Sequence, residues 1–359
     1  MRAIGRPGAG VPVAGDAWAT GGIAGIERVF YRDPMAPEPL FEIARRRFDT
    51  PEFRGIEFIE AECKTIINPV PGDYLPFKYT INPYRGCTHS CTYCFARPTH
   101  TFLDMNAGRD FETKIVVKVN APDVLRRQLG AKRWKGEGIA MGTNTDPYQR
   151  AEGRYRLMPG IISALTDYRN AFSILTKGTL ILRDLEFLVE ASRVTDVSTA
   201  FSIGTLDEDA WRRSEPGTPH PRKRIDAVRA LNDAGIPCGV LMAPVLPGIT
   251  DDPRQLREVV AAVIDAGATH VSPILLHLRP GVREEFLPWL EDQYPDLVAR
   301  YEELYRRPYA PKHEQEALGR RVSTLVHSLG GVRSTNEPPA RFSRGKHRRG
   351  DAPEQLTLV

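Results

Sequence analysis

AFSILTK (171–177), LILRDLEFLVEAS (180–192) and VSTAFSIG (197–204) follow one another with short connections, and this stretch decides the fold. The two outer segments are short and rich in apolar and β-branched residues, as buried strands are. The middle one repeats its apolar residues every three or four positions, as a helix does. A strand, a helix and a second strand in that order join as a parallel pair with the helix laid across one face. The same rhythm extends both ways. FKYTINPY (77–84) and GIAMGTN (138–144) precede it; CGVLMAPV (238–245) and HVSPILLHL (270–278) follow it. RLMPGIISALTDYR (156–169), RIDAVRALNDAG (224–235) and DPRQLREVVAAVIDAG (252–267) read as the helices between, with Gly235 and Gly267 placed as left-handed cap residues. Six strand-then-helix units predict an α/β fold, a partial (β/α)6 TIM-like barrel, whose active site lies in the loops after the strands. KIVVKVNAPDVLRRQL (114–129) reads as a strand and helix inserted between the first two units.

Around the barrel, taken as 76–282, residues 1–75 read as an N-terminal extension, partly disordered and loose as far as Gly25. Residues 283–333 read as C-terminal helices and 334–359 as a disordered basic tail. The 359 residues are 41% hydrophobic and 26% charged, which allows a large core and excludes global disorder. With 30 glycines and 30 prolines, short connections are expected and a coiled coil or fibre is excluded. No run approaches about 18 apolar residues and no compact apolar leader opens the chain, so the expectation is a cytoplasmic protein with no membrane contact. The net charge is +4, and the tail, with Arg341, Arg344, Lys346, Arg348 and Arg349 against Asp351 and Glu354, holds most of it. The body is nearly neutral, whereas duplex DNA calls for a basic face against several phosphates. Nucleic acid is thus only weakly indicated as a partner.

Directly after the first strand comes RGCTHSCTYCFARP (85–98), with Cys87, Cys91 and Cys94 in C-x3-C-x2-C spacing. Five cysteines, three of them within eight residues, are too few and too clustered for a disulfide framework. Thiolates so grouped hold zinc or an iron–sulfur cluster. Zinc needs a fourth ligand, for which His89 or His100 is available. The chain would then be a zinc-stabilised nucleic-acid-binding module, with the basic tail as its arm.

The cysteine run resembles the motif of the radical S-adenosylmethionine (SAM) superfamily, C-x3-C-x-Φ-C, with Tyr93 at the aromatic position Φ. The resemblance extends over about 75–285 and is nearest the spore photoproduct lyase-like branch. GTNTDPYQ (142–149), SEPGTPHP (214–221) and AGIPCGVLMAPVLPGITD (234–251) carry it. It implies a 4Fe-4S cluster on Cys87, Cys91 and Cys94, with one iron left free of protein ligands for S-adenosyl-L-methionine. It further implies reductive cleavage of that cofactor to a 5′-deoxyadenosyl radical, which takes hydrogen from an organic substrate the sequence does not name. An electron donor such as flavodoxin or ferredoxin is implied as well.

On the same resemblance Tyr93 stands beside the cofactor, and Thr143, Asn144 and Asp146 after the second strand serve its amine and ribose or are ordinary turn formers. Lys177 pairs with the methionyl carboxylate or ends its strand in solvent. Ser202 meets ribose or carboxylate or bonds to backbone, and Glu215 and Arg224 frame the cofactor. MAPVLPG (242–248) offers backbone and apolar surface to adenine, and His277 and Arg279 are candidate substrate contacts or core. The lyase-like branch also implies repair of a DNA lesion, using an active-site cysteine as hydrogen donor. Here no spare cysteine follows a strand: Cys238 opens the fifth, and Cys63 precedes the barrel. Tyr148 is the alternative donor, as a catalytic residue, or else a packing residue.

Overall fold

The computed structural model describes residues 18–23, 26–31, 41–72 and 75–331, with side chains from Ala44 onward. The segment read as a basic tail lies outside the described residues. Six parallel strands lie side by side in chain order: β1 (Tyr79–Ile81), β2 (Ile139–Met141), β3 (Phe172–Thr176), β4 (Val197–Ser202), β5 (Cys238–Val245) and β6 (Val271–Leu275). Helices α1 (Ala121–Leu129), α2 (Leu157–Asp167), α3 (Leu185–Ser192), α4 (Pro221–Asp233), α5 (Pro253–Asp265) and α6 (Lys312–Ser328) accompany them. A sheet whose spatial order follows the chain order, with a helical crossover between consecutive strands, is the expected partial TIM-like barrel.

The helices form where the apolar spacing places them, and each buries its stripe: Ile161, Ile162 and Leu165 on α2, Ile225, Val228 and Leu231 on α4, Leu256, Val259, Val260 and Val263 on α5. They pack into one core with Phe172, Ile174, Phe201, Val240 and Met242 of the strands. Each such side chain stabilises the fold by about 1.5–3 kcal/mol. The helix ends are set locally. Asp252 accepts from Arg254 N at 2.9 Å to start α5, Pro253 takes its first position, and Gly267 beyond its end has φ +78°.

Three strand segments depart from the sequence reading. FKYTINPY is not one strand: Tyr79–Ile81 belongs to the barrel, while Tyr84–Arg85 pairs with Lys114–Lys118 in a second sheet. Pro83 lacks the N–H that would continue β1, and its carbonyl instead accepts from Lys118 N at 3.0 Å. Lys114–Lys118 accordingly completes the second sheet, parallel to Glu57–Ala61, and only the inserted helix, α1, packs with the barrel's helices. The stretch read as loose contains Trp18–Ile23, paired antiparallel with Ile26–Tyr31, and Phe41–Arg47 joins that hairpin to Glu57–Ala61.

The extension is built into the barrel. Ile67–Pro69 runs antiparallel to β1 as the edge strand of the barrel sheet, and Phe58 and Ile66 are fully buried in the common core. At the other edge, beyond β6, His277 bridges to Tyr309 and Leu278 N donates to Pro308 O at 2.8 Å. The C-terminal region holds the helices Arg283–Gln293, Val298–Leu304 and α6. No helix among the described residues is long and apolar enough to cross a membrane.

Candidate active site

The cysteine loop leaves β1 through Gly86, whose φ is +78° and whose place leaves no room for a Cβ, since Phe111 O would lie 2.8 Å from it. Cys87 N donates to Phe111 O at 2.9 Å, and two tight turns, Ser90 N to Cys87 O and Cys94 N to Cys91 O, coil the loop and bring the three thiols within electrostatic reach of one another. From below, Arg97 donates through Nε and Nη2 to Cys91 O at 3.1 and 2.9 Å. From the far side of the barrel, Thr92 N donates to Ser214 O and Gly217 N to His89 O, each at 3.0 Å. Gly217 is required there because a Cβ would meet Thr88 O at 2.2 Å. Burial pushes the thiols up, Cys91 to about 12, and the neighbouring sulfurs push Cys87 and Cys91 in the same direction. Such thiols are inert as nucleophiles but become thiolates on coordinating a metal. Two buried thiols and a half-buried third, grouped on one fastened loop, therefore fit an iron–sulfur cluster.

Beside this loop, four strand ends bring charge together. Lys177, just after β3, donates from Nζ to Ser202 Oγ at 2.6 Å, to Glu215 Oε1 at 3.1 Å and to Ala243 O at 3.4 Å. Its ammonium lies 5.6 Å from the centre of the Tyr93 ring, and the Tyr93 hydroxyl donates to Glu215. Arg224, 1% exposed, reaches from α4 to the other oxygen of Glu215, to Thr218 Oγ1, to Ser202 O at 3.0 Å and to Pro219 O at 2.8 Å. Burial alone would raise the Glu215 pKa; the charges of Arg224 and Lys177 outweigh it and hold the carboxyl well below the usual range. Asp146 is treated the same way. Its burial is outweighed by His89, whose Nδ1 lies 3.3 Å from Oδ2, and by hydrogen bonds from Lys177 N at 2.7 Å and Thr176 Oγ1 at 2.5 Å.

The structure thus assembles Tyr93, Asp146, Lys177, Ser202, Glu215 and Arg224 around Cys87, Cys91 and Cys94. Thr143 and Asn144 are held instead by Asn82, just after β1, whose side chain bonds Thr143 Oγ1 at 3.3 Å and accepts from Asn144 N at 3.1 Å. The Asn144 side chain stays exposed. The MAPVLPG loop contributes Ala243 O, which also accepts from Ser202 Oγ at 2.6 Å.

Other candidate residues take the packing surroundings that were their alternative reading. Tyr148 is not with the cysteines: its ring is 1% exposed and its hydroxyl faces Asp184, Glu152 and Arg183 on the outer side of the loop, so it packs. His277 and Arg279 are taken up by Tyr309, the histidine ring 4.6 Å from it and the guanidinium 5.3 Å. For the zinc reading neither histidine is turned to the thiols, because His89 is committed to Asp146 and His100 Nε2 to Lys114 O at 3.0 Å. No three His, Cys, Asp or Glu side chains among the described residues converge as around a single ion. A four-iron cube takes each thiolate on a different iron and so asks for a wider spacing.

Sequence reasoning missed the partners that hold the site: Asn82, Arg97, and His89 in its role toward Asp146. Arg97 and His89 were signalled by their place in the cysteine run; Asn82 carried no signal beyond ending a strand.

Known proteins resemble this chain in sequence and in fold. The family model described as the radical SAM superfamily matches residues 81–260. An uncharacterised protein of Mycobacterium tuberculosis is 50% identical over 283 residues, covering 78% of this chain and 83% of its own. One from Methanocaldococcus jannaschii is 33% identical, covering 67% and 85%. A protein of Pseudomonas phage M6 called radical SAM Nalpha-GlyT isomerase is 24% identical over 71% of this chain and 55% of its own. Among solved structures, spore photoproduct lyase complexed with dinucleoside spore photoproduct superposes with a TM-score of 0.56 at 16% identity, covering 76% of this chain and 79% of that one, which shows a shared fold. On the family match and the extent of the mycobacterial likeness, this chain belongs to the radical SAM superfamily of enzymes.

Proposed function

We infer that the chain binds a 4Fe-4S cluster on Cys87, Cys91 and Cys94 with S-adenosyl-L-methionine beside it, and acts on an organic substrate by hydrogen abstraction. The observation that carries this reading is the grouping of three thiols, two buried and one half-buried, with the Lys177–Glu215–Tyr93 group at the C-terminal ends of the strands. When bound, cluster and cofactor together supply reductive cleavage of the sulfonium to a 5′-deoxyadenosyl radical, with an electron from a donor such as flavodoxin or ferredoxin.

The side chains divide the remaining work. Lys177 is the cation for the methionyl carboxylate. Glu215, kept ionised by Arg224, has both oxygens taken by protein donors, Oε1 by Tyr93 and Lys177 and Oε2 by Arg224 and Thr218, so it orients Lys177 rather than meeting the cofactor itself. Arg224 itself is saturated by protein acceptors, so it positions Glu215 and does not meet the cofactor. Both oxygens of Asp146 are likewise taken by protein donors, which makes it the tie between the loops after β2 and β3. Asn144 remains an exposed polar side chain, Thr143 is bonded to Asn82, and Tyr93 sets its ring 5.6 Å from the Lys177 ammonium while its hydroxyl donates to Glu215.

The reading is tested by loading the protein with iron and sulfide without oxygen, reducing it with dithionite and adding S-adenosyl-L-methionine. The expected product is 5′-deoxyadenosine, lost when any of Cys87, Cys91 or Cys94 is replaced by alanine; its absence from the loaded wild type overturns the reading. Lesion repair of the lyase-like kind is less well supported. The hydrogen-donor cysteine it calls for is missing from the C-terminal strand ends among the described residues, and Cys238 is buried at the opposite end of β5.

A further inference from the structure

We propose that Gln149 is the positioning residue of Cys87, fixing the backbone on both sides of the thiol that, on the reading above, is the first ligand to the cluster. Gln149 has no exposed surface, and both ends of its amide are engaged with that backbone. Oε1 accepts from Thr88 N at 2.9 Å, and Nε2 donates to Gly86 O at 2.9 Å. The amide therefore does for the peptides flanking Cys87 what a neighbouring strand would do, with a donor and an acceptor at one register. Thr145 reinforces it: its hydroxyl accepts from Gln149 Nε2 at 2.9 Å and donates to Gly86 O at 2.7 Å. Arg150 N adds a bond to Thr88 Oγ1 at 3.2 Å.

This arrangement needs glutamine. Ionised glutamate has no donor for Gly86 O, an apolar side chain of the same length has neither group, and asparagine is one methylene short. It also acts on one thiol of the three. Cys91 is held through Arg97, and the Thr92–Ser214 and Gly217–His89 bonds fix the middle of the loop, so only the Gly86–Thr88 segment depends on Gln149. Residues that orient a metal's ligands without touching the metal are worth about 10–100-fold in metal affinity.

The test uses full-length Gln149→Leu, Gln149→Glu and Thr145→Val, loaded anaerobically with iron and sulfide. Gln149→Leu removes the clamp; Gln149→Glu keeps the acceptor for Thr88 N but loses the donor; Thr145→Val removes the reinforcing bond alone. The expected result is that bathophenanthroline strips iron about 10-fold faster from Gln149→Glu than from wild type, with a smaller acceleration for Thr145→Val. The electron paramagnetic resonance spectrum of the dithionite-reduced cluster should shift in both. Should Gln149→Leu fail to fold, the other two variants decide. Lowered thermal stability with unaltered chelation rate and spectrum would show a residue that holds the fold alone, and would overturn the proposal. Failure of the wild type to take up iron would instead remove the cluster reading on which it rests.

Discussion

At the scale of single residues, the site is a balance of buried charges, and removing one of them is costly. Arg224→Met leaves Glu215 buried against Lys177 alone and is expected to destabilise the protein by about 3–5 kcal/mol, read as a lower urea midpoint with an unchanged m-value. Lys177→Met removes a charged hydrogen bond worth about 1.5–3 kcal/mol, so the KM for S-adenosyl-L-methionine should rise about 10–100-fold in the deoxyadenosine assay. Lys118 is a case of opposite sign. Burial lowers its pKa from the ordinary 10.5 to about 8, against which its bond to Asn82 O at 2.8 Å is the one hydrogen bond of its ammonium among the described residues. The unfolded chain thus binds this proton more tightly, and stability should rise with pH between about 8 and about 10.5. Lys118→Met is expected to stabilise by about 1–2 kcal/mol at pH 7, less the nearer the pH comes to 10, as denaturant curves at the two values would show. Spacing announced the three cysteines and strand ends Asp146, Lys177 and Ser202, while Tyr93, Glu215 and Arg224 were legible only through the family resemblance. The buried amide of Gln149 and the ring of His89 were not, since their roles depend on partners distant in the chain that no periodicity reveals.

At the scale of elements, the strands and helices of the barrel follow their apolar periods closely, and the misreadings fall where tertiary pairing overrode local pattern. FKYTINPY has the composition of one strand, yet Pro83 ends its first ladder and a second sheet takes up Tyr84 and Arg85. LILRDLEFLVEAS has a helical period throughout, yet Thr179–Asp184 forms a 3-10 turn, Arg183 binds Glu152 and Asp184, and the α-helix starts only at Leu185. The junction of β2 and β3 is the tightest in the sheet. Gly142 has φ +90°, and a Cβ there would stand 1.9 Å from Leu175 O. Gly142→Ala must therefore open that junction, with an expected loss of about 3 kcal/mol or more and a matching drop in soluble yield and melting temperature.

At the scale of the molecule, the extension and the barrel share one core. A chain begun at Pro76, where the sequence alone suggests a domain start, would lose the antiparallel partner of β1 and uncover surface that Phe58 and Ile66 fill. It is expected to be insoluble or to lack a cooperative thermal transition, whereas the full chain has one; calorimetry of the two distinguishes them. The loop that carries the thiols adds a constraint of timing. Its middle is fastened to Ser214 and Gly217, more than a hundred residues further along. A ribosome must therefore have delivered the fourth strand and the segment after it before the sulfur-bearing turn can take its final form. A nascent chain stalled short of Gly217 would lack both of these fastenings and leave the thiol-bearing turn unformed.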